Sequence, residues 1–219
     1  MGVRDYFSEA DLAAVREATR KAEGGTSGEL VCVVVERSDA YEGAHWRAAT
    51  LGAMAGALLS AYGLWATEAW TPYLFVWPAA LPLLGVAAGW LLAAAVPALQ
   101  RELAGAEAMR RRVHGRAAAA FVSEEVFRTR GRTGVLIFLS LFERRVEILC
   151  DEGIRRAVPA GAWSEISSRL AAGMGEGRAG AALAEAVAAC GRLLAEAGVA
   201  AAPDDVNELT DGLRMLDDE

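Results

Sequence analysis

The sequence predicts an α/β domain that is interrupted by a pair of membrane-spanning helices. Two short runs, 30–35 and 135–142, are apolar at almost every position and rich in β-branched residues. This composition is typical of strands that are buried on both faces of a sheet. Between the two runs, residues 48–99 contain one acidic residue, Glu68, and no lysine or arginine. The domain is therefore predicted to be split by an apolar insertion.

The insertion predicts a helical hairpin in a membrane. Glu68 divides it into two charge-free stretches, each long enough to cross the roughly 30 Å hydrocarbon core of a bilayer as a helix. We predict helices over about 48–67 and 73–97, with a tight turn at 67–72. Each helix carries two glycines four positions apart, which lets helix backbones pack closely: Gly52 with Gly56, and Gly85 with Gly89.

Basic residues predict the orientation of this hairpin. Arg47 precedes the first helix, and the connecting turn has no basic residue. Five arginines follow the second helix: Arg101, Arg110, Arg111, Arg112 and Arg116. Because basic residues remain on the cytoplasmic side, both termini are predicted to lie in the cytoplasm. An extracytoplasmic domain, the alternative, would place this basic cluster outside the cell.

The remaining elements follow in order along the chain. Residues 8–24 predict an amphipathic helix that begins with a capping box, with Ser8 as the N-cap and Asp11 as its partner. One long helix is predicted from the hairpin to about Phe127, followed by the central strand and by a partner strand at 146–150, where apolar and charged residues alternate. Two helices complete the domain. The predicted divisions are 1–47, 48–99, 100–202 and an acidic tail, 203–219.

Several common kinds of site have no support in the sequence. The three cysteines are far apart, which favours neither a disulfide framework nor a zinc site, and neither of the two histidines accompanies a recognisable Ser/His/Asp arrangement. The glycine motif at 175–180 follows a helix instead of a strand, so it indicates an interhelical loop. The arginines at 110–112 lack interleaved aromatics, which favours a patch facing solvent or lipid headgroups over nucleic-acid binding.

Carboxylates and hydroxyls at strand ends are the remaining candidates for a site. Glu29 opens the first strand, Arg132 and Thr133 precede the central strand, and Asp151 and Glu152 follow the partner strand. Oxygen ligands of this kind bind Ca²⁺ or Mg²⁺, and Glu29 and Asp151 are the candidate metal ligands. In the competing interpretation, Asp151 caps the next helix and Glu29 pairs with an arginine.

Several of these segments resemble the bacterial membrane members of the TPM-domain family. The resemblance covers most of the soluble part, in these segments: Thr-Ser-Gly-Glu at 26–29 with the valine run after it, 132–144, 146–154, Trp163, and Asn-Glu-Leu at 207–209. It implies an α/β/α sandwich around a small mixed sheet and a place in the bacterial inner membrane. In some relatives it also implies divalent-metal binding and acid phosphatase activity.

Two functions are therefore expected. In the first, the chain is a membrane-anchored TPM-like module that contacts membrane lipid and binds a membrane-protein partner, but no nucleic acid. In the second, it is a metal-dependent acid-phosphatase-like hydrolase of phosphomonoesters. The sequence leaves open whether the chain is an enzyme, and it identifies no catalytic residue.

Overall fold

The computed structural model describes residues 6–67, 76–199, 209 and 212–216. Residues 68–72 of the predicted turn, Asn207 and most of the acidic tail lie outside the described residues. The described part forms eight helices and four strands. The helices are α1 (Glu9–Glu23), α2 (Glu42–Thr67), α3 (Val76–Ala95), α4 (Pro97–Ala104), α5 (Ala106–Ser123), α6 (Glu152–Ala157), α7 (Ala160–Gly175) and α8 (Ala179–Glu196). The strands are β1 (Glu29–Val35), β2 (Gly134–Ser140), β3 (Arg145–Cys150) and β4 (Leu213–Leu216).

The four strands form one mixed sheet in the order β3-β2-β1-β4. β1 runs parallel to β2, with Glu29 opposite Gly134 and Val35 opposite Ser140. β3 is antiparallel to β2, and β4 is parallel to β1. All residues of β1 and β2 are buried, which confirms the two predicted central strands. β4 lies within the stretch that the sequence predicts as an acidic tail.

Helices cover both faces of the sheet and confirm the α/β/α sandwich. On one face, side chains of α1, α7 and α8 pack against alternate residues of β1 and β2, including Cys32 and Ile137. On the other face, Val113, Ala117 and Ala120 of α5 pack against the intervening residues, such as Phe138. Alternation along a strand sends successive side chains to opposite faces, so each central strand contributes to both cores.

The first helix begins with the predicted capping box. Ser8 Oγ accepts a hydrogen bond from Asp11 N at 3.2 Å, and Ser8 N donates to Asp11 Oδ2 at 2.9 Å. These bonds satisfy backbone groups that the helix itself leaves unpaired. Hydrogen bonds from the Ser8 side chain and backbone lower the pKa of Asp11.

The prediction of one continuous helix up to Phe127 is wrong. The chain forms two helices there, α4 and α5, which are separated at Gly105. Gly105 has φ +84°, a conformation that a side chain disfavours and that does not continue an α-helix. α5 ends at Ser123, and Glu125 follows with φ +54°.

The chain divides into two compact units, of which the first comprises Met1–Ser38 and Arg110–Glu219. The second unit, Asp39–Met109, contains α2, α3 and α4. α2 and α3 are both long and apolar enough to cross a membrane. Only 22% of the apolar window in α2 and 6% of that in α3 are buried. Such exposure is unusual for the core helices of a soluble protein.

Small residues bring α2 and α3 into close contact, as their spacing in the sequence predicts. A Cβ atom on Gly52 would overlap the carbonyl group of Gly85, and a Cβ atom on Gly85 would overlap the carbonyl group of Gly52. Gly56 similarly lies against the backbone of Leu81, and Gly89 against that of Ala48. The glycines therefore form the contact between these two helices.

Candidate functional site

Four of the five predicted site residues lie at one end of the sheet. This end contains the first residues of β1 and β2 and the end of the antiparallel strand β3. Glu29 N donates to Thr133 O at 3.2 Å, and Asp151 N donates to Gly134 O at 2.9 Å. Sheet pairing therefore places Glu29 and Asp151 on either side of Gly134. Because neighbouring strands are about 4.8 Å apart, the two backbones are separated by about 10 Å.

Asp151 has two structural functions at this end. Its Oδ1 accepts a hydrogen bond from Glu152 N at 2.7 Å and caps α6, which confirms its interpretation as a helix-start residue. Its Oδ2 lies 3.1 Å from Arg132 Nε in an ion pair, although the geometry is not that of a hydrogen bond. The Asp151 side chain is 6% exposed and that of Arg132 is 57% exposed. A buried carboxylate is thus neutralised by a guanidinium that reaches solvent.

A close backbone contact holds this ion pair in place. Gly153 N donates to Arg132 O at 3.0 Å. A Cβ on Gly153 would lie 2.6 Å from Gly131 O and 2.7 Å from Arg132 O, so only glycine fits there. The glycine that follows Asp151 and Glu152 in the sequence thus allows the loop before β2 to contact the start of α6.

Glu29 and Thr133 are both held by backbone contacts. Glu29 is 6% exposed. Thr133 Oγ1 donates to Ser27 O at 2.7 Å, and Thr133 N donates to Thr129 Oγ1 at 2.8 Å. The bond to Ser27 connects the loop before β2 to the loop before β1, and the bond to Thr129 lies within the loop before β2.

Two observations separate the predicted residues from one another. A Cβ on Gly134 would overlap the carbonyl of Val126, so the main chain that follows α5 lies directly against Gly134, the residue that stands between Glu29 and Asp151 in the sheet. Glu152, the fifth residue, is an exposed residue of α6 that pairs with Arg156 one turn later. Its backbone N–H donates to Asp151, but its side chain points to Arg156 and forms no described bond with Glu29 or Asp151.

This arrangement does not fit Ca²⁺ or Mg²⁺. A hard cation needs several convergent oxygen ligands. Among the described residues, no group of three or more His, Cys, Asp and Glu side chains is placed to hold a metal ion. The guanidinium of Arg132 also occupies one side of Asp151, where its positive charge would repel a cation.

A buried polar cluster that sequence reasoning missed lies at the opposite end of β1 and β2. Ser38 Oγ lies 2.7 Å from Ser140 Oγ, and Ser38 N donates to Glu143 Oε1 at 2.9 Å. Ser140 also donates to the other oxygen of Glu143. Ser140 is fully buried and Glu143 is 5% exposed. The cluster fixes the β2–β3 turn against the segment that follows β1.

A groove along the outer side of β3 is the second feature that the sequence did not predict. It has a volume of about 760 Å³. Its walls come from α5, from the second half of β3 and from the segment between α6 and α7. Its lining residues include Phe121, Val122, Ile148, Cys150, Arg155 and Trp163. They are distant in sequence, so no local motif indicates the groove.

The thiols are chemically protected in this fold. Burial raises the pKa of Cys32 to about 12, and a negative charge on Glu23 adds to this shift. Burial also raises the pKa of Cys150 to about 12, against a smaller opposing effect of Arg155. The pKa of Cys190 is raised for the same principal reason. Such cysteines are poor nucleophiles because the thiolate is the reactive form.

The matched part of the sequence identifies the family. Residues 105–193 match the family model described as the TPM domain. The chain carries a TPM domain. The match begins at the α4–α5 junction and continues into α8, so it includes the β2–β3 hairpin and the Asp151 region. α1, β1 and β4 lie outside the matched residues and complete the sheet and its core.

A solved structure supports the same fold over the whole chain. The NMR structure of the BA42 protein from the psychrophilic bacterium Bizionia argentinensis has a TM-score of 0.59 to this chain. The two sequences are 15% identical, and the alignment covers 98% of each chain. At this identity, the likeness concerns the fold alone. A search of the curated proteins found no match.

Proposed function

We propose that the chain is a membrane-anchored TPM-domain protein that binds a partner protein of a membrane complex. The groove along β3 carries this proposal, because it leaves apolar side chains and a sheet edge uncovered on the TPM domain. Val122, which lines the groove, is 62% exposed. Exposed apolar surface beside an open edge strand is costly in water and is typical of protein interaction sites.

The hairpin supplies the membrane attachment in this proposal. α2 and α3 have the length and hydropathy of spans, and their large apolar side chains are exposed, including Leu58 at 71% and Leu83 at 69%. Lipid would cover these side chains. Arg47 near the start of α2 and the arginines after α3 favour a position in the bacterial inner membrane with both termini in the cytoplasm.

Affinity purification of the full chain from its native membrane in mild detergent tests partner binding. We expect a specific partner protein to be recovered with the wild-type chain in a constant ratio. Ile137 is fully buried in β2, so Ile137→Asp disrupts the TPM domain and should lose the partner while the hairpin stays in the membrane fraction. Recovery of the chain alone, or of the same proteins with Ile137→Asp, would contradict the proposal.

Cysteine labelling of intact cells tests the orientation independently. The three native thiols have little reactivity, as their raised pKa values indicate. A new cysteine beside Glu68 should react with a membrane-impermeant maleimide, and one beside Asp211 should not. The reverse pattern would place the TPM domain outside the cytoplasm.

The alternative function is a divalent-metal-dependent phosphatase with Glu29 and Asp151 as ligands. It has less support, because Asp151 caps α6 and pairs with Arg132. Incubation of the full chain with a phosphomonoester and Mg²⁺ or Ca²⁺ distinguishes the two functions. Metal-dependent hydrolysis that Asp151→Ala abolishes would favour the enzyme over the partner-binding module.

A further inference from the structure

The outer side of β3 presents backbone groups that no described strand uses. β3 is the end strand of the sheet, and its six residues are all partly exposed. Asp151 N, next after the strand, points to β2 because it donates to Gly134 O. Main-chain groups alternate in direction along a strand. The main-chain N–H and C=O groups of Val146, Ile148 and Cys150 therefore point away from the sheet.

Arg155 marks one end of this edge with a positive charge. Its Nη2 donates to the carbonyl oxygen of Cys150 at 3.4 Å, so this oxygen points away from β2. Within the described residues no carboxylate pairs with Arg155, whereas its neighbour Arg156 pairs with Glu152. An exposed guanidinium that lacks a counter-ion favours an anionic ligand beside it.

Apolar side chains line the groove beside the same edge. Phe121 and Val122 of α5 lie on one side, and Trp163 of α7 lies on the other. His114 also borders the groove, but its Nδ1 lies 2.8 Å from Glu147 Oε1, so that pair is satisfied internally. The surface thus combines outward backbone groups, apolar walls and one uncompensated cation at its end.

We propose that the outer edge of β3 binds an extended peptide segment of the partner protein, with apolar side chains in the groove and a carboxylate at Arg155. This inference rests on the proposed partner-binding function and names the chemistry of the partner. Backbone hydrogen bonds to Val146 and Ile148 supply affinity, as in strand addition, while the groove and Arg155 select the side chains and the charge. A carboxylate-bearing lipid would satisfy Arg155 and the apolar walls, but it would leave the backbone groups of β3 without partners.

A peptide library with free carboxyl ends tests this proposal on the full chain in detergent. Randomised heptapeptides are selected for binding to the wild-type chain. We expect enrichment of peptides that combine apolar residues with a carboxylate at one end. N-methylation of alternate peptide bonds, which removes the donors that pair with β3, should weaken each selected peptide about tenfold or more.

Two protein variants complete the test. Arg155→Ala should weaken the selected peptides about tenfold, and its matched control Arg156→Ala, one residue further along α6, should leave their affinity unchanged. A thermal melt of each variant verifies that the fold is retained. Absence of any enriched peptide, or equal loss of affinity in both variants, would overturn the proposal. Peptides that depend on Arg155 but tolerate N-methylation would overturn strand addition and indicate a simple carboxylate site.

The same variants separate this inference from the proposed function. If the partner protein is recovered equally with wild type, Arg155→Ala and Arg156→Ala, the partner binds elsewhere and only the assignment of this surface fails. If no partner is recovered with the wild-type chain, both the partner-binding function and the assignment of this surface are wrong.

Discussion

Arg132 Nε lies 3.1 Å from Oδ2 of Asp151, the buried carboxylate that also caps α6. One backbone hydrogen bond, from Glu152 N, and one ion pair, with Arg132, thus already engage the residue that the sequence presents as a metal ligand. The contact joins the loop before β2 to the end of β3, since Gly153 N also donates to Arg132 O. The carboxylate therefore stabilises the junction of three elements, and this stabilisation explains its burial without a metal ion.

Divalent cations are expected to have little effect on the stability of the folded chain. A ligand that binds only the native state raises the free energy of unfolding by RT ln(1 + [L]/Kd). Because Arg132 opposes a cation at Asp151, millimolar Ca²⁺ or Mg²⁺ should change the Tm by less than about 1 °C. A thermal melt with and without chelator measures this. A rise of several degrees that Asp151→Ala removes would show that the site does bind metal.

Close packing of α1 against α8 predicts the effect of a single methyl group. A Cβ on Gly191 would lie 2.6 Å from Ala22 Cβ, and both are held in helices. Gly191→Ala should therefore destabilise the TPM domain by about 1–3 kcal/mol, the usual cost of overpacking. Urea unfolding followed by the tryptophan signal measures the change.

Gly175→Ala is the matched control for this substitution. A Cβ there meets no atom within 4 Å, and Gly175 is the last residue of α7. The higher helix propensity of alanine should leave stability unchanged or raise it by up to about 1 kcal/mol. Equal effects of the two substitutions would contradict the α1–α8 contact.

The glycines between α2 and α3 make a similar prediction for the second unit. Gly52→Ala introduces a methyl group against the carbonyl of Gly85, whereas a methyl group at Gly63 of the same helix meets no atom within 4 Å. Gly52→Ala should separate α2 from α3 and lower the Tm in detergent, while Gly63→Ala should not. If both variants melt like the wild type, the two helices are not packed through these glycines.

Buried thiols predict a loss of stability at alkaline pH. Burial raises the pKa of Cys32 from 9.0 to about 12 in the folded chain. The unfolded chain releases this proton more readily, so the contribution of Cys32 is present below pH 9 and is lost as pH rises towards 12. Between about pH 8 and about pH 10.5 the loss should be on the order of 1–2 kcal/mol.

Replacement of this thiol isolates its contribution. Cys32→Val keeps an apolar side chain of similar size at a fully buried position, but it cannot ionise. Urea unfolding at the two pH values should show a smaller decrease for Cys32→Val than for the wild type, since the other titrating groups are common to both. The same decrease in both proteins would contradict the account.

The sequence predicted the helices and strands whose structure is determined by their own residues. β1 and β2 are apolar at nearly every position because both faces are covered, and the Ser8 capping box confines the start of α1 to a few residues. β4 has four residues, all of them partly exposed, so its pattern is too short to recognise. It forms because β1 offers an open parallel edge.

The candidate site was less predictable, because it depends on contacts between distant segments. Glu29, Thr133 and Asp151 share one sheet end, as strand order requires. The position of Val126 against Gly134 arises from the turn after α5 and has no signature in the sequence. The groove beside β3 likewise needs α5 and α7 to be placed around an edge strand, which only the tertiary structure determines.

Photo-crosslinking in the native membrane tests the central claim most directly. A photoreactive amino acid replaces Val122, which is 62% exposed in the groove, and in a control chain it replaces Glu17 of α1, whose side chain is 72% exposed. We expect one protein adduct from position 122 and none from position 17. No adduct from position 122, or the same adduct from both positions, would contradict partner binding through the groove of the TPM domain.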